Sequence, residues 1–68
     1  MVVTGYCYLQ ADVTKLTASA VLLAMMDGPR KGENVWVPLS LFDEPDFVEQ
    51  GDDEVVVARW FVEREGLQ

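Results

Sequence analysis

The chain has no histidine. That removes the side chain most often used as a general base near neutral pH, and with it the imidazole metal ligand. There is one cysteine, Cys7. A lone cysteine closes no intramolecular disulfide, so no covalent staple reinforces a chain of 68 residues. Cys7 stands between two tyrosines in an apolar stretch and reads as buried filler rather than as a reactive thiol. Bases are scarce, five against twelve acids, for a net charge of −7. No apolar run is long enough to cross a bilayer: the longest, Ala18 to Met26, is short and is interrupted by Ser19. With no signal-peptide pattern either, a reducing cytoplasm is the expected location, and no membrane is expected as a partner.

These shortages bear on chemistry. Cys7 has no histidine to activate it, and Ser19 and Ser40 have no evident base. Carboxylates are plentiful, but they crowd one segment with no apolar pocket to raise the pKa of a general acid. No catalytic residue is assigned, and a non-enzyme needing no cofactor is expected. A calcium loop of EF-hand type fails on register. With Gly51 at position 6, Asp46 falls at position 1, but Val48, Gln50 and Val57 fall at positions 3, 5 and 12, where oxygen ligands belong. No specific metal is expected.

What the chain does have is apolar content: 50% of its residues are hydrophobic. That is enough to fold, as one domain spanning 1–68. It is also more than so small a body can bury, so a homodimer is expected, with Tyr6 and Tyr8 as candidate contact residues. In residues 5–13, Cys7, Leu9, Ala11 and Val13 alternate with Tyr6, Tyr8, Gln10 and Asp12, the period of a half-buried strand. Thr14 to Thr17 has turn character. Residues 19–26 are almost continuously apolar, which suits a central strand buried on both faces or a short helix; the flanking turns and the length favour the strand. Asp27-Gly28-Pro29-Arg30-Lys31-Gly32 reads as a hairpin loop. A strand centred on Val35-Trp36-Val37 follows, and Pro38 ends it or places it at a sheet edge. Leu39 to Phe42 suits a helical turn tucked against the sheet, and Val55-Val56-Val57 a last strand. Arg59 to Glu65 suits a short helix closed by Gly66 and Leu67, with no good N-cap residue near Ala58. The expected fold is mostly β: a small four-stranded antiparallel sheet, barrel-like in the SH3 or OB manner, with a short C-terminal helix.

Charge is unevenly placed. Asp43, Glu44, Asp46, Glu49, Asp52, Asp53 and Glu54 lie in the 43–54 segment, which contains no base; outside it acids and bases balance. Phe47 and Val48, in its middle, are expected to pin this loop to the body. One reading of the acids is solubility alone. The other is that they imitate a run of phosphates and are the partner-binding residues, occupying a cationic, nucleic-acid-binding surface of another protein. Direct nucleic-acid binding suits the fold better than the charge. Tyr6, Tyr8, Trp36 and Trp60 could serve as stacking platforms, but Arg30 and Lys31 are the only adjacent bases. Trp36 and Trp60 are expected instead in the core, as large aromatics dominate small cores.

The pieces Thr17-Ala18-Ser19-Ala20-Val21-Leu22-Leu23, Val35-Trp36-Val37-Pro38-Leu39-Ser40 and Arg59-Trp60-Phe61-Val62-Glu63-Arg64-Glu65-Gly66-Leu67 together resemble a group of small, mostly uncharacterised phage and prophage proteins. Their pattern is a Thr-rich turn and apolar strand, a Trp-(Val/Ile)-Pro-Lys-Ser element and a closing Trp…Gly-Leu helix. Leu39 stands where the group usually has lysine. The resemblance implies a small β-rich fold of mobile-element origin and no settled activity. The expected function is a phage-encoded, non-enzymatic interaction module that docks on a basic host protein in the host cytoplasm, as an inhibitor such as an anti-CRISPR. The alternative is an accessory single-strand nucleic-acid binder.

Overall fold

A computed structural model describes residues 5–68. Four strands form one antiparallel sheet: β1 (Tyr6–Leu16), β2 (Ala20–Met25), β3 (Asn34–Pro38) and β4 (Glu54–Ala58), in the order β3-β2-β1-β4. A short helix, α1 (Arg59–Glu65), follows β4. The sheet is not closed into a barrel; β3 and β4 are its ends.

The alternation read in β1 is real. Leu9, Ala11 and Val13 are buried, while Tyr6, Tyr8 and Gln10 are exposed. The strand also runs further than expected, through Thr14, Lys15 and Leu16. The register with β2 slips between Val13 and Lys15, so Thr14 sits in a bulge, and its hydroxyl donates to the carbonyl of Leu22 at 3.1 Å. The turn begins only at Thr17. Its hydroxyl donates to the carbonyl of Ala20 (2.9 Å) and accepts from the N–H of Ala20 (3.0 Å), pinning the hairpin tip. β1 serves two neighbours: Tyr6 to Gln10 pair with β4, and Ala11 to Leu16 with β2.

Residues 20–25 form an interior strand of the sheet, but one face only is fully buried. Val21, Leu23 and Met25 face the core, while Ala20, Leu22 and Ala24 are half-buried on the other side. The Asp27–Gly32 segment makes the β2–β3 connection, with Gly28 and Gly32 at φ 84° and 89°. Pro38 ends β3, and β3 is an edge strand. The Leu39–Leu41 3₁₀ turn then carries the chain across to β4, where Phe42 bridges Val57 and the N–H of Asp43 donates to the carbonyl of Val56 at 3.0 Å. Phe42 is buried.

α1 begins without a side-chain cap at Ala58. The N–H of Arg59 instead donates to the carbonyl of Gly5 at 3.0 Å, so strand pairing satisfies a donor that no capping residue serves. At the other end Gly66 takes φ 64°, ψ 41°. The N–H of Gly66 reaches the carbonyl of Glu63, and that of Leu67 the carbonyl of Val62. This is the paired hydrogen-bond pattern of a Schellman cap, and Val62 and Leu67, both buried, supply its apolar contact.

Two expectations about aromatics fail. Trp36 and Trp60 are not core residues; they are 50% and 41% exposed. Val35 and Val37 point inward, and strict alternation along β3 sends Trp36 to the other face. Trp60 lies on a helix whose only buried residue is Val62; its indole meets Phe61 edge-on, with ring centroids 5.9 Å apart. Phe47 does not pin the acidic segment either, being 74% exposed, whereas Val48 does pack against the core. Cys7 is half-buried against that core.

Candidate acidic cleft

The seven acids expected to bind a partner fall along the β4 side of the sheet. Asp43 follows the Phe42 bridge beside Val56. Glu44 precedes, and Asp46 lies within, a second 3₁₀ turn, Pro45–Phe47. Glu49 to Asp52 make a tight turn, with Gly51 at φ 99°. This turn is tied to β1 at both ends of one residue: the N–H of Gly51 donates to the Val13 carbonyl (2.9 Å), and the N–H of Val13 to the Asp52 carbonyl (2.8 Å). Glu54 opens β4 opposite Gln10.

The acids are not equivalent. The Asp52 carboxylate accepts from the N–H of Glu49 at 3.0 Å, closing its own turn, and Asp52 is half-buried. Glu54 accepts from the Gln10 amide at 3.2 Å. Asp43, Glu44, Asp46, Glu49 and Asp53 are exposed. Among the described residues, none of the seven is in an ion pair. The three ion pairs, Arg30–Glu33, Arg30–Glu65 and Arg64–Glu65, all lie elsewhere. Of the five bases only Arg30 and Arg64 are in those pairs, and the 43–54 carboxylates keep their field without an ion-pair partner among the described residues.

Pairing of β1 with β4 sets Tyr8 directly opposite Val56 on the outward face. Beside them opens a cleft of about 290 Å³, bordered by Tyr8, Phe47, Val48 and Val56 and by Asp43, Glu44, Asp52 and Glu54. No base borders it. Tyr8 and Phe47 are 66% and 74% exposed. An aromatic wall flanked by carboxylates attracts cations twice over, by Coulomb attraction and by the negative faces of the rings. Nothing in the local sequence links Tyr8 to the acids; by composition Tyr6 and Tyr8 suit a separate self-association patch. Tyr6, 47% exposed, shares the outward face with Tyr8 but does not border the cleft.

Among the described residues, no group of three acidic or cysteine side chains is placed to hold a metal ion. No helix there is long and apolar enough to cross a membrane. Compared with known proteins, the chain matches no family model, no curated protein and no solved structure.

Proposed function

We propose that this is a non-enzymatic interaction module that docks through its 43–54 edge on a basic, nucleic-acid-binding surface of a host protein. In this reading it is phage-encoded, works in the host cytoplasm without a cofactor, and acts as an inhibitor such as an anti-CRISPR. The curl that brings Phe42 onto β4 shortly after β3 ends is the barrel-like element of the proposal. The observation that carries it is the unpaired carboxylate edge beside exposed aromatic rings. Surface charges alone give speed and specificity of encounter more than affinity. Rings such as Tyr8 and Phe47 supply the apolar area that anchors an interface.

The test exchanges the five exposed acids, Asp43, Glu44, Asp46, Glu49 and Asp53, for Asn or Gln. Asp52 and Glu54 are left in place because they hold the Glu49 turn and Gln10. The partner is first captured from a host lysate and identified, then its affinity is measured across a salt series. The expected result is strong weakening at low salt and a flattened salt dependence, since exposed charges are screened over about 8–10 Å at physiological ionic strength. Equal affinity with parallel salt dependence would mean that the acids serve solubility alone.

A second reading, the accessory single-strand binder, draws support from Tyr6, Tyr8 and Trp36, all exposed on the outward face as stacking platforms would be. Its expected signature is quenching of tryptophan fluorescence by single-stranded oligonucleotides at low salt. The negative edge opposes it, and absence of quenching removes it.

A further inference from the structure

The two ends of the sheet are treated differently. The outer side of β4 is occupied by Phe42 and Asp43. Among the described residues, no strand covers the outer side of β3. Register fixes which backbone groups face outward there. The N–H of Met25 donates to Glu33, and that of Leu39 donates to Ser19. In an antiparallel ladder hydrogen-bonded pairs alternate, so Val35 and Val37 bond inward to Leu23 and Val21. The N–H groups of Asn34 and Trp36, and the carbonyls of Asn34, Trp36 and Pro38, therefore point away from the sheet.

We infer that β3 pairs with β3 of a second copy, antiparallel and centred on Trp36, to make a continuous eight-stranded sheet. Donors and acceptors match in this register. Each Trp36 exchanges two hydrogen bonds with its twin. Each Asn34 N–H meets the Pro38 carbonyl of the other copy. Pro38 has no N–H to strand, so every outward donor is used. Sliding the strands by two residues toward Pro38 leaves the Asn34 donor without a strand carbonyl, whereas sliding toward Asn34 pairs Trp36 with Asn34 of the other copy and uses the same donors. Of the two twofold registers that use every outward donor, only the Trp36-centred one sets the two indoles against each other.

Charge picks a second copy over a charged partner. From Asn34 to Pro38 there is no ionisable side chain. Of the two bases in the loop before β3, Arg30 is held by Glu33 and Glu65, and Lys31 lies outside the paired segment. The 43–54 acids lie along the β4 side of the sheet, and the Asn34–Pro38 edge itself carries none of the chain's net charge of −7. On the outward face the pairing sets Trp36 against its twin, each backed by Leu22, its neighbour in β2. This joins two half-covered apolar patches into one stripe.

Sedimentation velocity from low to high micromolar concentration, with hydrogen exchange at both limits, tests the pairing. The expected result is a shift from one to two chain masses, with the Asn34 and Trp36 amides exchanging at least tenfold more slowly at high concentration. Trp36→Lys sets two like charges face to face and is expected to remain monomeric throughout. A parent that stays monomeric overturns the inference. So does a dimer that survives Trp36→Lys, or one whose added protection falls at Tyr6 and Tyr8 instead of at β3. The exchange pattern of the parent decides the matter even if the variant fails to fold.

Discussion

Gly28 and Gly32 lie in one loop with nearly the same positive φ, 84° and 89°, yet they are not equally replaceable. A side chain at Gly32 would enter open space. Gly32→Ala therefore carries only the conformational cost of a left-handed L-residue, about 1–2 kcal/mol. A Cβ at Gly28 would lie 2.6 Å from the backbone oxygen of Leu67. That neighbour is no flexible side-chain tip. It belongs to the residue that seals the helix cap, and Leu67 is 1% exposed. Relieving the clash means moving the C-terminal tail by roughly 1 Å and losing part of a burial worth about 1.5–3 kcal/mol. Gly28→Ala should cost about 3–5 kcal/mol in all, against a total stability of about 3–10 kcal/mol for a domain of this size.

Urea unfolding of both variants measures the difference, with slope compared as well as midpoint. A double-mutant cycle with a chain ended at Gly66 isolates its origin. If the excess cost of Gly28→Ala arises at Leu67, it vanishes once the tail is gone, leaving the Gly32 figure. Equal midpoint shifts for the two alanine variants in the full chain would refute the reasoning. They would mean that Leu67 is not seated against the β2–β3 loop.

Half-exposed tryptophans should be cheap to lose: Trp36→Ala and Trp60→Ala are each expected to cost about 1–2 kcal/mol in thermal unfolding, below the 3–5 kcal/mol of a buried ring. A loss of 3 kcal/mol or more at either would place that indole in the core. Asp52→Ala removes the acceptor for the Glu49 N–H and should cost about 1 kcal/mol while speeding exchange of the Glu49 amide; unchanged exchange would show that Asp52 does not hold the turn.

Much of this fold is legible in short-range pattern. The alternation of β1, the double-glycine loop and the Gly66-Leu67 cap each depend on neighbours within a few residues. What escaped the sequence depends on pairing. Thr14 looks like a turn residue until pairing with β2 places it in a bulge of a strand that runs on to Leu16. Size alone argues for a core Trp36, but Val35 and Val37 on either side fix its direction outward. A lone aromatic in a charged loop suggests an anchor at Phe47, but its neighbour Val48 has that place. The acidic segment was plain from composition. The cleft was not, because Tyr8 joins it only through a register linking residues far apart in sequence.

The outward rings have a common cause. The inner face is lined almost wholly by small and medium aliphatics, including Val13, Val21, Val35, Val37, Val55 and Val57, and Phe42 is the one fully buried aromatic. A single four-stranded sheet and a helix of seven residues enclose too little volume for indoles at native packing density. Tyr6, Tyr8, Trp36, Phe47 and Trp60 are therefore excluded by space and not by polarity, and they remain exposed for want of room. Exposed rings on a body this small reduce solubility, and the 43–54 carboxylates counter that whatever else they do. What distinguishes a binding role from this compensation is position. A solubilising charge works anywhere on the surface, whereas four of these acids border the same cleft as Tyr8 and Phe47. Trp36, by contrast, has no acid directly opposite it, its partner in β2 being Leu22. Rings beside carboxylates suit a cationic partner, and a ring on an uncharged open edge suits its own twin. The sheet thus separates two kinds of exposed aromatic, and each asks for a different occupant.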